Sequence, residues 1–134
     1  MNITYHLVPQ LYFDALDPGR DYTPRDFARE GFIHCTDGAD EMARTANRYY
    51  RTAPEAFYYL TLDKDRLRAP WRYDDPVPHQ HAAQETKDNQ EPPRDAASKI
   101  YPHIYGALNR DAIIAIRPAR RDANGNFLAP EPLA

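Results

Sequence analysis

The chain has 134 residues, of which 42% are hydrophobic and 28% are charged, the length and composition of one globular domain. Seventeen basic against twenty acidic residues give a net charge of −3, which argues against a general nucleic-acid-binding surface. The single cysteine, Cys35, excludes an internal disulfide and fits a reducing compartment. We therefore expect one cytoplasmic domain over residues 1–134, with neither a signal peptide nor a membrane span.

The first half of the chain predicts elements in the order β, α, α, β, α. Alternating apolar and polar residues predict strands over Ile3–Val8 and Phe32–Cys35. Pro9–Leu16 predicts a short helix with Leu11, Tyr12 and Ala15 on its apolar stripe. Further helices are expected from Thr23 to Gly31, and from a cap at Asp37 to about Tyr50.

The second half of the chain predicts strands separated by one long polar segment. Residues 74–99 hold several prolines and almost no large apolar side chains, which predicts an exposed loop insertion. The expected strands are Phe57–Leu62, Pro70–Tyr73, Ile100–Leu108, Ala112–Arg117 and, after an Asn124-Gly125 turn, Phe127–Leu128. Helices early and strands late predict an α+β fold with a bent antiparallel or mixed sheet.

Two motifs carry the residues best suited to chemistry, GFIHCT at residues 31–36 and YPHIYG at residues 101–106. His34 is expected at a strand end beside a helix, where it could contact a ligand or hold a backbone carbonyl. His103 and Tyr105 share one side of an extended segment and offer flat faces with polar tips. Such a pair suits a ribose or a planar base, or a Tyr–His hydrogen bond within a sheet.

His6 is the third candidate, and if it meets His34 and His103 the three imidazoles could hold a metal ion or a nucleotide. Their spacing is irregular and does not decide between the two. The His79-Gln80-His81 segment is interpreted as ordinary loop. Cys35 alternates with His34 along the strand, so it is expected to point into the core.

The third predicted helix carries three arginines, Arg44, Arg48 and Arg51, which could form a phosphate-binding stripe. Asp40 and Glu41 lie three to four residues before Arg44, which favours a solvated, salt-bridged face instead.

Several phrases together resemble the bacterial family called domain of unknown function 952, over about residues 3–130. They are Tyr-His-Leu-Val near the start, Glu-Gly-Phe-Ile-His-Cys-Thr, Ala-Asn-Arg-Tyr-Tyr, a strand ending in Leu-Asp, and Pro-His-Ile-Tyr-Gly-Ala-Leu. The resemblance implies a fold similar to the ADP-ribosyltransferase superfamily, a split and bent β-sheet around an NAD-binding cleft. That superfamily includes RNA 2′-phosphotransferases, which use NAD to remove a 2′-phosphate from RNA.

The resemblance also implies roles for particular residues. His6 matches a ribose-contacting position on the first strand, and His34, His103 and Tyr105 are expected to line the same cleft. Asp74 stands where related sequences usually carry glutamate, and residues 77–99 exceed the family's usual connection. No clear counterpart of the catalytic glutamate of ADP-ribosyltransferases is found.

The leading expectation is a protein whose partner is a small nucleotide, NAD or a related ADP-ribosyl compound, held by His6, His34, His103 and Tyr105. In a transferase, His34 and His103 would stabilise the charge shift as the nicotinamide–ribose bond breaks. Asp74 would serve as a substitute carboxylate, and the acceptor stays undefined. The alternatives are a non-catalytic nucleotide- or metabolite-binding module and a histidine metal site; no metal ligand is assigned.

Overall fold

The computed structural model of the chain describes residues 1–74 and 101–132. In chain order, the elements within these residues are β1 (Ile3–Pro9), α1 (Gln10–Asp14), α2 (Phe27–Glu30), β2 (Ile33–His34), α3 (Ala39–Tyr50), β3 (Phe57–Asp63), a 3₁₀ turn (Lys64–Arg66), β4 (Trp71–Tyr73), β5 (Pro102–Ile104), a second 3₁₀ turn (Arg110–Ala112) and β6 (Ile113–Pro118). The predicted α+β class, with antiparallel sheets and a few short helices, is confirmed.

The first sheet has the order β1-β3-β6, with β3 antiparallel to both neighbours. Six of the seven residues of β3 are buried. Leu60 and Leu62 enter one hydrophobic cluster, and Phe57 and Tyr59 enter another on the opposite face. Because both faces of this central strand are covered, its sequence is a nearly unbroken apolar run, which made it the clearest strand to predict.

The second sheet has the order β2-β5-β4 and carries the two sequence motifs. His103 of β5 lies opposite His34 of β2 and opposite Arg72 of β4, so all three side chains share one face. In the next row Ile104 lies between Ile33 and Trp71, and these face the larger core cluster. Alternation along three short strands therefore separates a polar row from the apolar core.

The two sheets meet beside β1. Tyr5 of β1 and Thr36, which follows β2, exchange backbone hydrogen bonds of 3.0 and 2.8 Å. Lys64, which follows β3, donates from Nζ to the Asp37 carboxylate at 2.9 and 3.1 Å and to the Tyr73 hydroxyl at 2.6 Å. Tyr73 is the last residue of β4, and Asp37 follows β2 by three residues. This buried lysine therefore joins the first sheet to the second.

The helices differ in detail from the prediction. α1 buries Phe13 and leaves Leu11 82% exposed, so the predicted apolar stripe is wrong. α2 starts at Phe27, later than the predicted Thr23 cap, but ends at the expected Gly31, whose φ of +84° is left-handed.

Two further predictions are wrong in detail. Asp37 does not cap α3, which has Gly38 at its N-cap, because the carboxylate is bound by Lys64. The predicted last strand, Phe127–Leu128, is reduced to a single bridge between Phe127 and Arg121. No helix of the described residues is long and apolar enough to cross a membrane.

Candidate functional site

A cavity of about 460 Å³ lies between β1, the segment from Tyr12 to Glu30, and α3. Among residues 1–74 and 101–132, its aromatic walls are formed by five tyrosines and one phenylalanine, and its charged or titratable lining is one arginine, three carboxylates and two histidines. These residues are Tyr5, Tyr12, Tyr22, Tyr49, Tyr50 and Phe57, together with Arg25, Asp26, Glu30, Glu55, His6 and His34. Flat rings with a few polar groups are typical of a small-molecule site.

His6 of β1 is a neutral histidine with a fixed tautomer. Its Nδ1 lies 2.6 Å from the His34 carbonyl oxygen, which can only accept, so Nδ1 carries the proton and donates. Its Nε2 therefore accepts from the Tyr22 hydroxyl, 2.8 Å away. Burial is the main cause that lowers the pKa of His6 to about 4. Because both nitrogens are engaged, His6 positions β2 and Tyr22 at the cavity rather than offering a free donor to a ligand.

Glu30 is a cavity residue that the sequence did not single out. It is the last residue of α2, and its Oε1 lies 3.1 Å from Nε2 of His34 in β2. The Glu30 side chain is only 8% exposed, whereas that of His34 is 26% exposed. The left-handed turn at Gly31 lets the chain pass from helix to strand within this short span. The signal in the sequence was the four-residue spacing of a carboxylate and a histidine around Gly31.

A second carboxylate–histidine pair lies at β4 and β5. Asp74 Oδ2 lies 3.1 Å from Nδ1 of His103 and accepts a hydrogen bond from the Tyr105 hydroxyl, and Oδ1 accepts from Arg72 Nε at 2.7 Å. Burial alone would raise the pKa of Asp74, but the hydrogen bonds from Tyr105, Arg72 and His103 outweigh it and hold that pKa below its usual value. The cluster is thus an anion held by three donors.

His103 is held neutral by its surroundings. Burial, and then the neighbouring charge of His34, lower its pKa more strongly than Asp74 raises it. With Asp74 ionised, the Nδ1 proton of His103 is directed to the carboxylate, the arrangement that leaves Nε2 with its lone pair. The same orientation is used for general bases in enzymes.

Phe32 connects the two carboxylate–histidine pairs. Its ring stacks on His103 with centroids 4.2 Å apart and planes 13° from parallel, and its centroid lies 4.8 Å from that of His34. The two imidazole rings meet edge to face with centroids 5.2 Å apart. The structure therefore brings His34 and His103 into contact, as the motifs suggested.

The other predicted residues divide between two places. His6 and His34 line the cavity, whereas His103 in the polar row of the second sheet, and Tyr105 and Asp74 just beyond β5 and β4, are not among its lining residues. In the described ranges, 1–74 and 101–132, no group of three or more His, Cys, Asp or Glu side chains could hold a metal ion. His79 and His81 lie outside the described residues.

Cys35 is 2% exposed, belongs to the core, and points away from His34 as expected. Burial raises the pKa of its thiol far above the usual range, which is the opposite of what a nucleophilic cysteine needs. The salt-bridged face predicted on α3 is supported by the 3.2 Å Glu41–Arg44 pair.

The comparisons with known proteins concern family and fold. The model of a family described as "Protein of unknown function (DUF952)" matches residues 8–116. Two crystal structures of protein CC0527 from Caulobacter crescentus, the protein itself and a double mutant, have TM-scores of 0.59 and 0.60 at 15% and 18% identity. Each match covers 94% of this chain and 93% of the other. No curated protein matches the sequence. At this identity the two structures show a shared fold.

Proposed function

The chain belongs to the DUF952 family, and from that premise we propose that it binds NAD or a related ADP-ribosyl nucleotide in the cavity beside His34. The observation that carries the proposal is the composition of this cavity. About 460 Å³ of space is walled by tyrosines and holds the Glu30–His34 pair. Ligand pockets of roughly 300–1,000 Å³ with flat apolar walls and a few polar groups are the common type for cofactors.

The chemistry of the lining fits the parts of such a nucleotide. A base or a nicotinamide ring can stack on tyrosine faces, and a ribose hydroxyl can donate to the Glu30 carboxylate or exchange hydrogen bonds with tyrosine hydroxyls. His6 contributes indirectly in this proposal, because its ring hydrogen-bonds Tyr22 and the backbone of His34. The direct ligand contacts are assigned to His34, Glu30 and the tyrosines.

If the protein transfers ADP-ribose, Glu30 is better placed than Asp74 to act on the ribose. When the ribose C1′–N bond breaks, its electron pair moves to the pyridinium nitrogen, nicotinamide leaves neutral, and positive charge develops on the ribose. An anionic group close to that charge stabilises it. Glu30 lies in the cavity wall beside His34, whereas Asp74 is not among the residues that line the cavity.

The second candidate is a module that binds the nucleotide without turning it over. The saturation of Asp74 and His6 by internal hydrogen bonds favours it, because such groups are engaged in holding the protein together. Incubation with NAD labelled in the nicotinamide ring separates the two candidates. Release of nicotinamide that Glu30→Gln abolishes indicates the transferase; binding without release indicates the module.

The binding proposal is tested by calorimetric titration of the untagged protein with NAD, ADP-ribose and nicotinamide. His34→Ala is expected to weaken binding by roughly tenfold or more, since it removes a polar contact of the cavity. The control is Arg120→Ala, which truncates an exposed side chain outside the cavity lining and away from His34. A folded wild-type protein that binds none of the three compounds contradicts the proposal.

A further inference from the structure

The turn that precedes Phe127 holds an asparagine followed by a glycine, Asn124-Gly125. Asp122 organises the backbone of this turn, because its Oδ1 accepts from the backbone N–H groups of Asn124 and Asn126 at 2.9 Å each. Asn124 is exposed, and within the part of the chain that the structure describes only its backbone atoms form hydrogen bonds. The turn therefore fixes the main chain at Asn124 and leaves the side-chain amide in contact with water.

The backbone nitrogen that follows Asn124 is unhindered. The φ of Gly125 is +87°, which is left-handed, and a Cβ added at this residue would meet no described atom within 4 Å. Because glycine has no side chain, nothing at this residue shields its nitrogen from the Cγ atom of the preceding asparagine. The Gly125 N–H donates to the Asp122 carbonyl oxygen at 3.0 Å, and this hydrogen bond must open before the nitrogen can react.

An arginine lies beside the same turn. Arg51 donates from Nη2 to the Asn124 carbonyl oxygen at 3.4 Å and from Nε to the Asn126 side-chain oxygen at 2.5 Å. The backbone hydrogen bond from Asn126 is the main cause that holds the pKa of Asp122 below its usual value, and the charge of Arg51 adds to it. A positive charge at this place favours the loss of a proton from a nearby amide nitrogen and the formation of a second carboxylate.

We propose that Asn124 is a modification site, at which the side-chain amide reacts with the backbone and then with water to leave a carboxylate. The Gly125 nitrogen gives its proton to solvent and forms a bond to Cγ of Asn124. The bond between Cγ and the side-chain nitrogen breaks, and ammonia leaves with a proton taken from water. Water then opens the cyclic imide at either carbonyl, the ring nitrogen regains its proton, and the product is aspartate or isoaspartate. The reaction needs water alone, so the proposal is independent of nucleotide binding.

The two products differ in their effect on the fold. Aspartate keeps the backbone path and adds a carboxylate beside Arg51, whereas isoaspartate routes the main chain through the side-chain carbons and lengthens it. The far end of the turn is anchored by Phe127, which is 3% exposed. The Phe127 N–H donates to Asn47 Oδ1 at 2.6 Å, and its carbonyl oxygen accepts from Asn47 Nδ2 at 3.2 Å. A longer turn must therefore disturb this anchor or the contacts of Asp122.

The test is incubation of the full chain at mildly alkaline pH, followed by peptide mapping with mass spectrometry. We expect conversion of amide to acid at Asn124, at a rate that rises about tenfold per pH unit because the reacting nitrogen must lose a proton. The folded chain should react at most roughly tenfold more slowly than the chain unfolded in urea, since one backbone hydrogen bond has to open. An unchanged Asn124 in the folded chain, under conditions that convert it in the unfolded chain, overturns the proposal.

Asn126 is a control within the same turn. It lies beside the same arginine, but the nitrogen that follows it belongs to Phe127 and is held by Asn47. Asn126 should therefore convert roughly tenfold or more slowly than Asn124, and an equal or faster conversion of Asn126 overturns the proposal. Asn124→Gln, whose longer side chain closes a ring much less readily, should remove the conversion at this turn.

Thermal unfolding tests the effect of the modification on the fold. The isoaspartate form is separated by chromatography, and Asn124→Asp supplies the aspartate form directly. Asn124→Asp should melt close to the wild type, whereas the isoaspartate form should melt lower, because its longer turn competes with the hydrogen bonds between Asn47 and Phe127. Equal melting temperatures for the two forms would overturn the effect assigned to the longer turn.

Discussion

His6 lies at the cavity, but its ring nitrogens bind other parts of the protein and are not offered to a ligand. The family resemblance implied that His6 contacts a ribose, whereas the structure gives both of its ring nitrogens internal partners. The ring must stay neutral to accept from Tyr22, since a protonated imidazole has only donors. Protonation of His6 therefore competes with folding.

The first prediction concerns stability against pH. The pKa of His6 is about 4 in the folded chain and about 6.5 when unfolded, so the unfolded chain binds more protons between these values. The contribution of His6 is fully present above pH ~6.5 and is lost as pH falls towards 4, by about 3 kcal/mol. His103, whose pKa is also lowered, acts in the same direction.

Urea unfolding at several pH values measures this dependence. His6→Gln cannot titrate and should unfold at lower urea at pH 7, yet lose less stability than the wild type between pH 7 and pH 4.5. Equal slopes for the two proteins would show that His6 is not the group responsible.

The second prediction concerns the Asp74 cluster. The Asp74 charge raises the pKa of His103 against the effect of burial, so Asp74→Asn should lower that pKa further. NMR titration of the histidine ring protons measures it directly. Asp14→Asn removes an exposed carboxylate that accepts from Tyr58, and should leave the His103 titration unchanged. An upward shift of the His103 pKa in Asp74→Asn would contradict the assigned hydrogen bond.

The residue types of the site were partly accessible from the sequence. The GFIHCT motif left His34 either contacting a ligand or holding a backbone carbonyl, and the structure puts that side chain in the cavity wall beside Glu30. Glu30 was missed because a glutamate at a helix end is usually solvated, and only the turn at Gly31 directs it back to His34. His103 and Tyr105 do not line the cavity because of the way in which β2 and β5 pack against β1. A local sequence pattern does not determine that packing.

At the scale of elements, the sequence predicted the bounds of an element best where the burial of a local apolar run determines its structure. β3 was predicted almost to its ends because an apolar run bounded by turns has few alternatives. Asp37 was assigned as a helix cap, the usual role of aspartate before a helix, but Lys64 lies 27 residues away and binds its carboxylate instead. A long-range partner of this kind is invisible to local pattern.

The third prediction concerns the approach of two elements at Gly106. A Cβ at this position would lie 2.8 Å from the Cβ of Ala69, closer than two carbon atoms can pack. Gly106→Ala should therefore destabilise the fold by about 1–3 kcal/mol, since the backbone next to β4 and β5 must shift. Thermal unfolding compares it with Gly19→Ala, whose added Cβ meets no atom closer than 3.4 Å. Equal melting temperatures for the two variants would contradict the close approach.

At the scale of the whole molecule, the buried Lys64 is a polar link between the two sheets. Its side chain is 2% exposed, and its ammonium group lies 4.9 Å from the centre of the Trp71 ring. Burial alone would lower the pKa of Lys64, but the hydrogen bonds that its ammonium group donates to Tyr73 and Asp37 outweigh burial and raise that pKa. Lys64 is therefore charged in the folded protein at neutral pH.

The fourth prediction tests this link. Lys64→Met keeps the apolar stem but leaves Asp37 without its cation, and should cost about 2–4 kcal/mol of the free energy of unfolding. Arg66→Met, which removes an exposed partner of Asp63, should cost less than about 1 kcal/mol. Adding Asp37→Asn to Lys64→Met should recover part of the loss. No recovery would show that packing, and not the unpaired carboxylate, is responsible.

Among the described residues, those that line the cavity lie between Tyr5 and Phe57, whereas the strands that hold its walls in place come later in the chain. β1 needs β3, and β2 needs β5, whose last residue is Ile104. During synthesis on the ribosome, the lining of the cavity is therefore made well before its framework. The nascent chain can acquire the proposed affinity for a nucleotide only after residue 104 has emerged. A ligand present at that moment would favour completion of the second sheet, and so could raise the yield of folded protein in the cell.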